Sequence, residues 1–264
     1  MSAHAPRSGG ETPGSLRRYL PLIVLGGLMA LAFATGWHKY LSLKTVGLNY
    51  DALKAFVAEN WLLAVLAYVA AYIAVVALSL PGGLVMTLTG GLLFGWRTGA
   101  IVTVVAATVG ATLVFLIAKT SFGEALAAKA GPWVEKLRDG FKENALSYLL
   151  FLRLVPAFPF FVVNLAPALL GVPLSTYVIG TFLGIIPGTT AFSVAGAGLG
   201  SVIDAQNRSY QACLAANPAN PAVDCPYSID TSALVTTELL AAFTLLGVVA
   251  LLPIALKKMR GANV

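Results

Sequence analysis

Between residues 145 and 203 the sequence carries one formal charge before Asp204, the guanidinium of Arg153. An arginine at the centre of a bilayer costs roughly 2.5–3.5 kcal/mol on insertion scales, so it faces a partner or water. No acidic residue lies near it in the chain. Its five donors form a planar fork that matches a phosphate or another oxyanion. The alternative is a brace that bonds freed carbonyls or snorkels to the cytoplasmic face. Around it stand the helix breakers Pro156, Pro159, Pro167 and Gly171, with Asn164 as a donor and acceptor for a ligand or for a helix end. A second breaker-rich stretch holds Pro81-Gly82-Gly83, Gly90-Gly91 and Gly95, and ends at Trp96-Arg97, where Arg97 reads as an interfacial anchor. Other chemistry is absent from the pattern. The histidines His4 and His38 and the cysteines Cys213 and Cys225 are too scattered for a metal centre, and no cofactor motif occurs. The apolar segments hold no carboxylate pair and no nucleophile beside a base, so no catalytic residue is assigned and an enzyme is not expected.

The elements that position these residues follow from composition. Of 264 residues 58% are hydrophobic and 11% charged, with mean hydropathy +0.83. Soluble domains carry about 25% charged residues, so there is too little charge to wet a globular surface. An ordinary cytosolic enzyme, a disordered chain and a disulfide-dense secreted scaffold are excluded. Apolar runs at 19–37, 61–80, 99–118, 174–199 and 233–256 predict an all-α polytopic membrane protein with about five transmembrane helices. A cleaved leader is the alternative for the first run. The polar basic stretch 1–18 reads as a disordered tail, and 38–60 as a mixed connector, which makes 19–60 an N-terminal helix with its connector. The net charge of +6 sits beside apolar runs, where it sets orientation and meets headgroups. Nucleic acid is not an expected partner.

Irregular backbone at membrane depth must be buried in protein or line a wet cavity, so 81–97 and 145–172 predict two re-entrant hairpins. Between them, 119–144 alternates charges with Phe122, Leu126, Trp133, Leu137 and Phe141 at helical spacing, as an interfacial amphipathic helix does. The segments Leu88–Gly95 and Asn164–Gly171 align as halves of a repeat, continuing to Val109–Thr112 and Pro187–Thr190 with a two-residue gap. Hairpins entering from opposite faces make such a repeat inverted, an arrangement that recurs in transporters. Gly180, Gly184, Gly188, Gly196 and Gly200 form a four-residue ladder that suits close helix packing.

Lys257, Lys258 and Arg260 place the C-terminus and 119–144 in the cytoplasm. The polar loop 201–232 is then outside, where Cys213 and Cys225 would pair as a disulfide or stay as two free thiols. Asn207-Arg208-Ser209 is a glycosylation sequon. Five spans put two basic ends on opposite sides, a conflict that a further crossing within 38–60 would remove. The last span and basic tail occupy 233–264.

The string Pro81…Gly90-Gly91-Leu92-Leu93-Phe94-Gly95…Gly99, then Phe151-Leu152-Arg153-Leu154-Val155-Pro156-Ala157-Phe158-Pro159-Phe160…Asn164…Gly171 and Gly184…Pro187, resembles the DedA superfamily, in its Tvp38-like branch with a VTT domain. The likeness covers residues 61–200. It implies opposed re-entrant hairpins and movement of phospholipid or polyprenyl phosphate between leaflets, with Arg153 at the family's motif arginine. Members with acidic residues in the first hairpin are linked to proton coupling. Pro81-Gly82-Gly83 has no carboxylate, so passive scrambling is the expectation here. The binding set is then Arg153, Asn164, Pro156, Pro159, Gly90 and Gly91, in a multi-pass protein of the bacterial inner membrane, with a Golgi membrane as the alternative. It would act alone or as a homo-oligomer. A carrier for a small anion and a non-transporting assembly protein are the other readings.

Overall fold

The computed structural model describes residues 14–36, 41–122, 132–155, 158, 160–216, 224–229, 244, 247–248 and 251–252. Its described residues are helical: α1 Gly14–Ala34, α2 Leu43–Leu48, α3 Tyr50–Glu59, α4 Trp61–Ala77, α5 Gly83–Phe122, α6 Pro132–Leu154, α7 Phe160–Leu169, α8 Leu174–Gly198 and α9 Gly200–Ala216. Among the described residues, two segments are long and apolar enough to cross a membrane, Gly83–Lys119 and Leu174–Gly198.

The first of these is not one straight rod. Gly95 takes φ 76° and ψ 160°, outside helical space, and divides α5 into a short arm, 83–94, and a long arm, 96–122. A straight helix would hold Met86 and Thr103 about 25 Å apart, at ~1.5 Å per residue. Yet the Tyr68 hydroxyl bonds the Met86 carbonyl at 2.9 Å and Thr103 Oγ1 at 2.6 Å. The chain therefore doubles back at Gly95, a position that needs a positive φ and so favours glycine. Tyr72 fastens the lower half of the short arm through Thr87 at 3.0 Å. The arm thus pairs with α4 on one side and with the long arm on the other.

The second half repeats this plan. Asn144 (φ −136°, ψ 37°) breaks α6, leaving 145–154 as a separate arm. Gly171, at φ 80°, turns α7 onto α8, so that Tyr177 returns beside Asn164. The two turn glycines, Gly95 and Gly171, are the ends of the repeat segments aligned in the sequence. Packing then sets a different register in the long helices. Gly110 faces Val76, and Gly184 faces Arg153, with each added Cβ meeting its neighbour's Cβ at 2.8 Å. Gly110 thus answers to Gly184, a pairing the gapped alignment of Val109–Thr112 with Pro187–Thr190 does not make.

Two further sequence expectations shift. The first hairpin does not lie within 81–97. Its arms are α4 and 83–94, and its tip is the loop 78–82, where Ser79 has φ 50° and Gly82 φ 140°. Gly95 lies at the opposite, open end, with Trp96 43% exposed. The arms of the second hairpin are 145–154 and α7. Phe115 stacks on Tyr177 at 4.2 Å, while Gly91 and Gly196 press on the Ser193 and Leu88 carbonyls. The long arm and α8 are therefore antiparallel, and each hairpin docks on the other half's long helix. Both tips end near the middle of these long helices, at Gly110 and Gly184. Outward, Ile101, Val105, Val109 and Leu113 on the long arm, and Ile179, Phe182 and Leu183 on α8, are exposed apolar side chains in stripes, the surface expected against lipid.

The connector and the polar loop are more ordered than their composition implies. Within 41–60 the helices α2 and α3 have 6 and 10 residues, too short to cross a ~30 Å core, so that crossing is not there. The first half of 201–232 is the helix α9, anchored by Ile203, which is fully buried against Tyr50, Leu88 and Leu199. Low mean hydropathy hid an element whose apolar anchor is a single fully buried residue. Asn207 is not a free sequon either: its Nδ2 donates to the Gly47 carbonyl at 3.0 Å and its Oδ1 accepts from Tyr227 at 2.7 Å. Burial pushes the Tyr227 hydroxyl up from its ordinary pKa, keeping it a neutral donor. Cys213 and Cys225 are bonded, Sγ–Sγ 2.01 Å. Closing a loop of this size contributes ~2–3 kcal/mol. Reduction is expected to raise amide exchange across α9 and 224–229 while the core keeps its protection. Unchanged exchange would show that the hydrogen bonds alone hold this cap. Of the stretch 1–18 read as a disordered tail, residues 14–18 belong to α1, whereas residues 1–13, residues 123–131, Pro156, Pro159 and most of the last predicted span, 233–256, lie outside the described residues.

Candidate functional site

Arg153 sits in the last turn of the 145–154 arm, beside the hairpin tip and level with the centre of α8. It can stand there because residue 184 is glycine: a larger residue would collide with the arginine's Cβ and Cγ. Its Nη2 donates to Tyr177 Oη at 2.9 Å and Thr181 Oγ1 at 3.0 Å. The guanidinium also lies 5.5 Å from the Tyr177 ring centroid. These partners are neutral, and Arg153 Nε is buried with no partner among the described residues. Among the described residues no opposite charge meets it.

Tyr177 is the hub. Its ring stacks on Phe115, and its hydroxyl lies 3.3 Å from both Asn164 Oδ1 and the Ala111 carbonyl. One hydroxyl hydrogen serves one acceptor at a time, while the oxygen accepts from Arg153. Asn164 is fully buried, and its Nδ2 has no partner among the described residues. Of the residues singled out in the sequence, Arg153 and Asn164 both meet the Tyr177 hydroxyl. The sequence reading did not find Tyr177 and Thr181, which join or flank them from one α8 face at i, i+4 spacing. Two hydroxyl side chains one turn apart on an apolar helix were the available signal.

Gly90 and Gly91 are elsewhere. Gly90 is closed over by the Tyr68 hydroxyl and Thr103, and Gly91 by the Ser193 backbone. Both are close-packing positions, and neither lines the space beside Arg153. That space is a partly open cleft of about 180 Å³, bounded among the described residues by Arg153, Leu154, Gly184, Ile185, Gly188, Thr189 and Phe192. Gly180 and Gly196 of the glycine ladder pack on Leu149 and on the Leu88 backbone, while Gly188 opens the cleft. Pro187 lacks an N–H, so the Leu183 carbonyl one turn earlier has no helical donor. On the outer side, Gly247 of the C-terminal segment packs against Phe151, Leu154 and Val155. Among the described residues, no group of three or more His, Cys, Asp or Glu comes together.

This arrangement can bind an oxyanion at mid-depth between apolar helices. Residues 80–198, which contain both Gly95 and Gly171 turns, match the VTT domain family. The chain is 36% identical over 150 residues to a transmembrane protein 41 homolog of Dictyostelium discoideum, covering 55% of this chain and 45% of the relative. It is 28% identical over 144 residues to human transmembrane protein 41B, covering 50% and 49%. The transmembrane protein 41 homolog of Caenorhabditis elegans is 26% identical over 152 residues, covering 56% and 61%. The chain thus spans about half the length of the curated relatives it matches. No solved structure matches it. Both hairpins, their glycine turns and the motif arginine lie inside or border the matched segment, so this part of the chain is similar to the VTT domain and to the transmembrane proteins just named, consistent with the resemblance to the DedA superfamily.

Proposed function

We propose that this protein is a lipid translocase that lets phospholipid or polyprenyl phosphate change leaflets, by passive scrambling rather than proton coupling. The observation that carries the reading is Arg153: a cation without a charged partner among the described residues, at a hairpin tip, beside a partly open cleft. In this reading the two hairpins are re-entrant and enter from opposite faces. The long arm, α8, α1 and the C-terminal run supply spans of a multi-pass protein, and the host is a plasma membrane of bacterial inner-membrane type. The lipid phosphate accepts from the free donors of Arg153, while the tails remain outside the cleft among the exposed apolar stripes. Supplying hydrogen bonds inside hydrocarbon lowers the penalty a headgroup meets there. A small-anion carrier would need an enclosed watery site, which a partly open cleft supports less well.

Leaflet exchange of fluorescent phosphatidylglycerol in proteoliposomes tests this. The wild type is expected to exceed protein-free vesicles, and Arg153→Ala to fall at least about tenfold, the effect of losing a charge-assisted bond pair. Exchange equal to empty vesicles would refute phospholipid scrambling.

A further inference from the structure

Ser193 is the one buried hydroxyl on the cleft's helix that the site described so far does not use. It is fully buried, and its Oγ has no hydrogen-bond partner among the described residues. Its surroundings make that unusual. Thr87, Thr89, Thr108 and Thr112 each satisfy their hydroxyl on the carbonyl four residues earlier, at 2.7–2.8 Å. Ser193 has the same local option and does not take it. It follows Thr189 by one turn on the same face of α8, and Thr189 and its neighbour Phe192 both line the cleft. Opposite Ser193 stands Gly91, on the short arm of the first hairpin, in backbone contact with it. The cleft therefore starts at the tip of the second hairpin and ends, one helical turn beyond Thr189, where the first hairpin closes on α8. At that contact Gly91 meets the Ser193 backbone, while Leu88, Leu92 and Leu93 of the short arm cluster with Phe192, Ala195 and Leu199 around it. Parting it uncovers an unpaired hydroxyl.

We infer that Ser193, together with Thr189, is a second station for the lipid phosphate. The phosphodiester leaves Arg153, accepts from Thr189, and then accepts from Ser193 as the short arm 83–94 lifts from α8. The headgroup thereby passes from one hairpin to the other. This rests on the translocase reading and adds the direction of the path. It also gives the repeat asymmetry a purpose: Val76 holds the place in the first half that Arg153 holds in the second, so the first hairpin offers no charge, and hydroxyls on the opposing helix take over.

Ser193→Ala separates this from a structural role. A hydroxyl that is only a buried, unpaired group weakens the fold, and removing it would raise Tm and leave exchange unchanged. The station requires the opposite: exchange of fluorescent phosphatidylglycerol slowed about fivefold, the effect of one neutral hydrogen bond, with Tm equal to or above wild type. Exchange as fast as wild type overturns the station while the Arg153 reading stands on its own variant. A fall in both Tm and exchange assigns the hydroxyl to the fold and also overturns it. Wild-type vesicles that show no exchange remove both readings together. Release of entrapped inorganic phosphate without lipid exchange would reassign the path to a soluble anion and sink the lipid station.

Discussion

Gly91→Ala is expected to unseat the first hairpin. The added methyl would stand inside contact distance of the Ser193 carbonyl, Cα and carbonyl carbon. Backbone cannot rotate away as a side chain can, so the short arm must shift bodily from α8. Helix propensity alone favours alanine over glycine by ~1 kcal/mol. Overpacking a close contact costs about 1–3 kcal/mol, or more where nothing yields. The net loss is expected to be ~2 kcal/mol, seen as a lower Tm in detergent. Gly196→Ala should behave alike, since its Cβ would meet the Leu88 carbonyl. Gly26→Ala is the matched control: Gly26 lies in α1 with nothing within 4 Å of a built Cβ, so the same change should be neutral or slightly stabilising. Equal effects at Gly91 and Gly26 would mean that the hairpin does not bear on α8 at this point.

Arg153→Lys is expected to keep the charge and still lose most of the function. Lysine offers a compact ammonium where the fork now spans Tyr177 and Thr181 and lies near the tyrosine ring. An ammonium occupied by those hydroxyls has little left for a phosphate, and one turned to the phosphate abandons them. Exchange should fall about three- to tenfold, against at least about tenfold for alanine. Tyr177→Phe probes the hub from the other side. The stack on Phe115 survives, but Asn164 Oδ1 and the Ala111 carbonyl lose their shared donor, and Arg153 loses an acceptor. Leaving buried polar atoms unpaired costs about 1–3 kcal/mol, so this variant should lose both Tm and exchange. If Arg153→Lys were fully active, a point charge would suffice and the fork geometry would be incidental.

Much of this was legible before any coordinates. Run lengths, missing charge and the lone guanidinium dictate a membrane protein with a polar centre, because hydrocarbon penalises charges and open backbone far more strongly than water does. Gly95 and Gly171 were marked as the ends of a repeat since both turns need backbone that side chains resist, and that requirement is local. Other features belong to contacts between distant segments. Composition alone bounded the first hairpin at 81–97, whereas Tyr68 and Tyr72 hold 83–94 as an arm returning beside α4 from the loop 78–82. The glycine ladder looked uniform, yet Gly184 admits an arginine, Gly196 meets a backbone and Gly188 leaves space, according to what the neighbouring arm presents. α9 escaped notice because one fully buried isoleucine and a disulfide, not an apolar stripe, hold it. Tyr177, Thr181 and Ser193 gained meaning only when two antiparallel helices and two hairpin arms enclosed them. A hydroxyl's role depends on whether a partner reaches it, and distance in space, not in sequence, decides that.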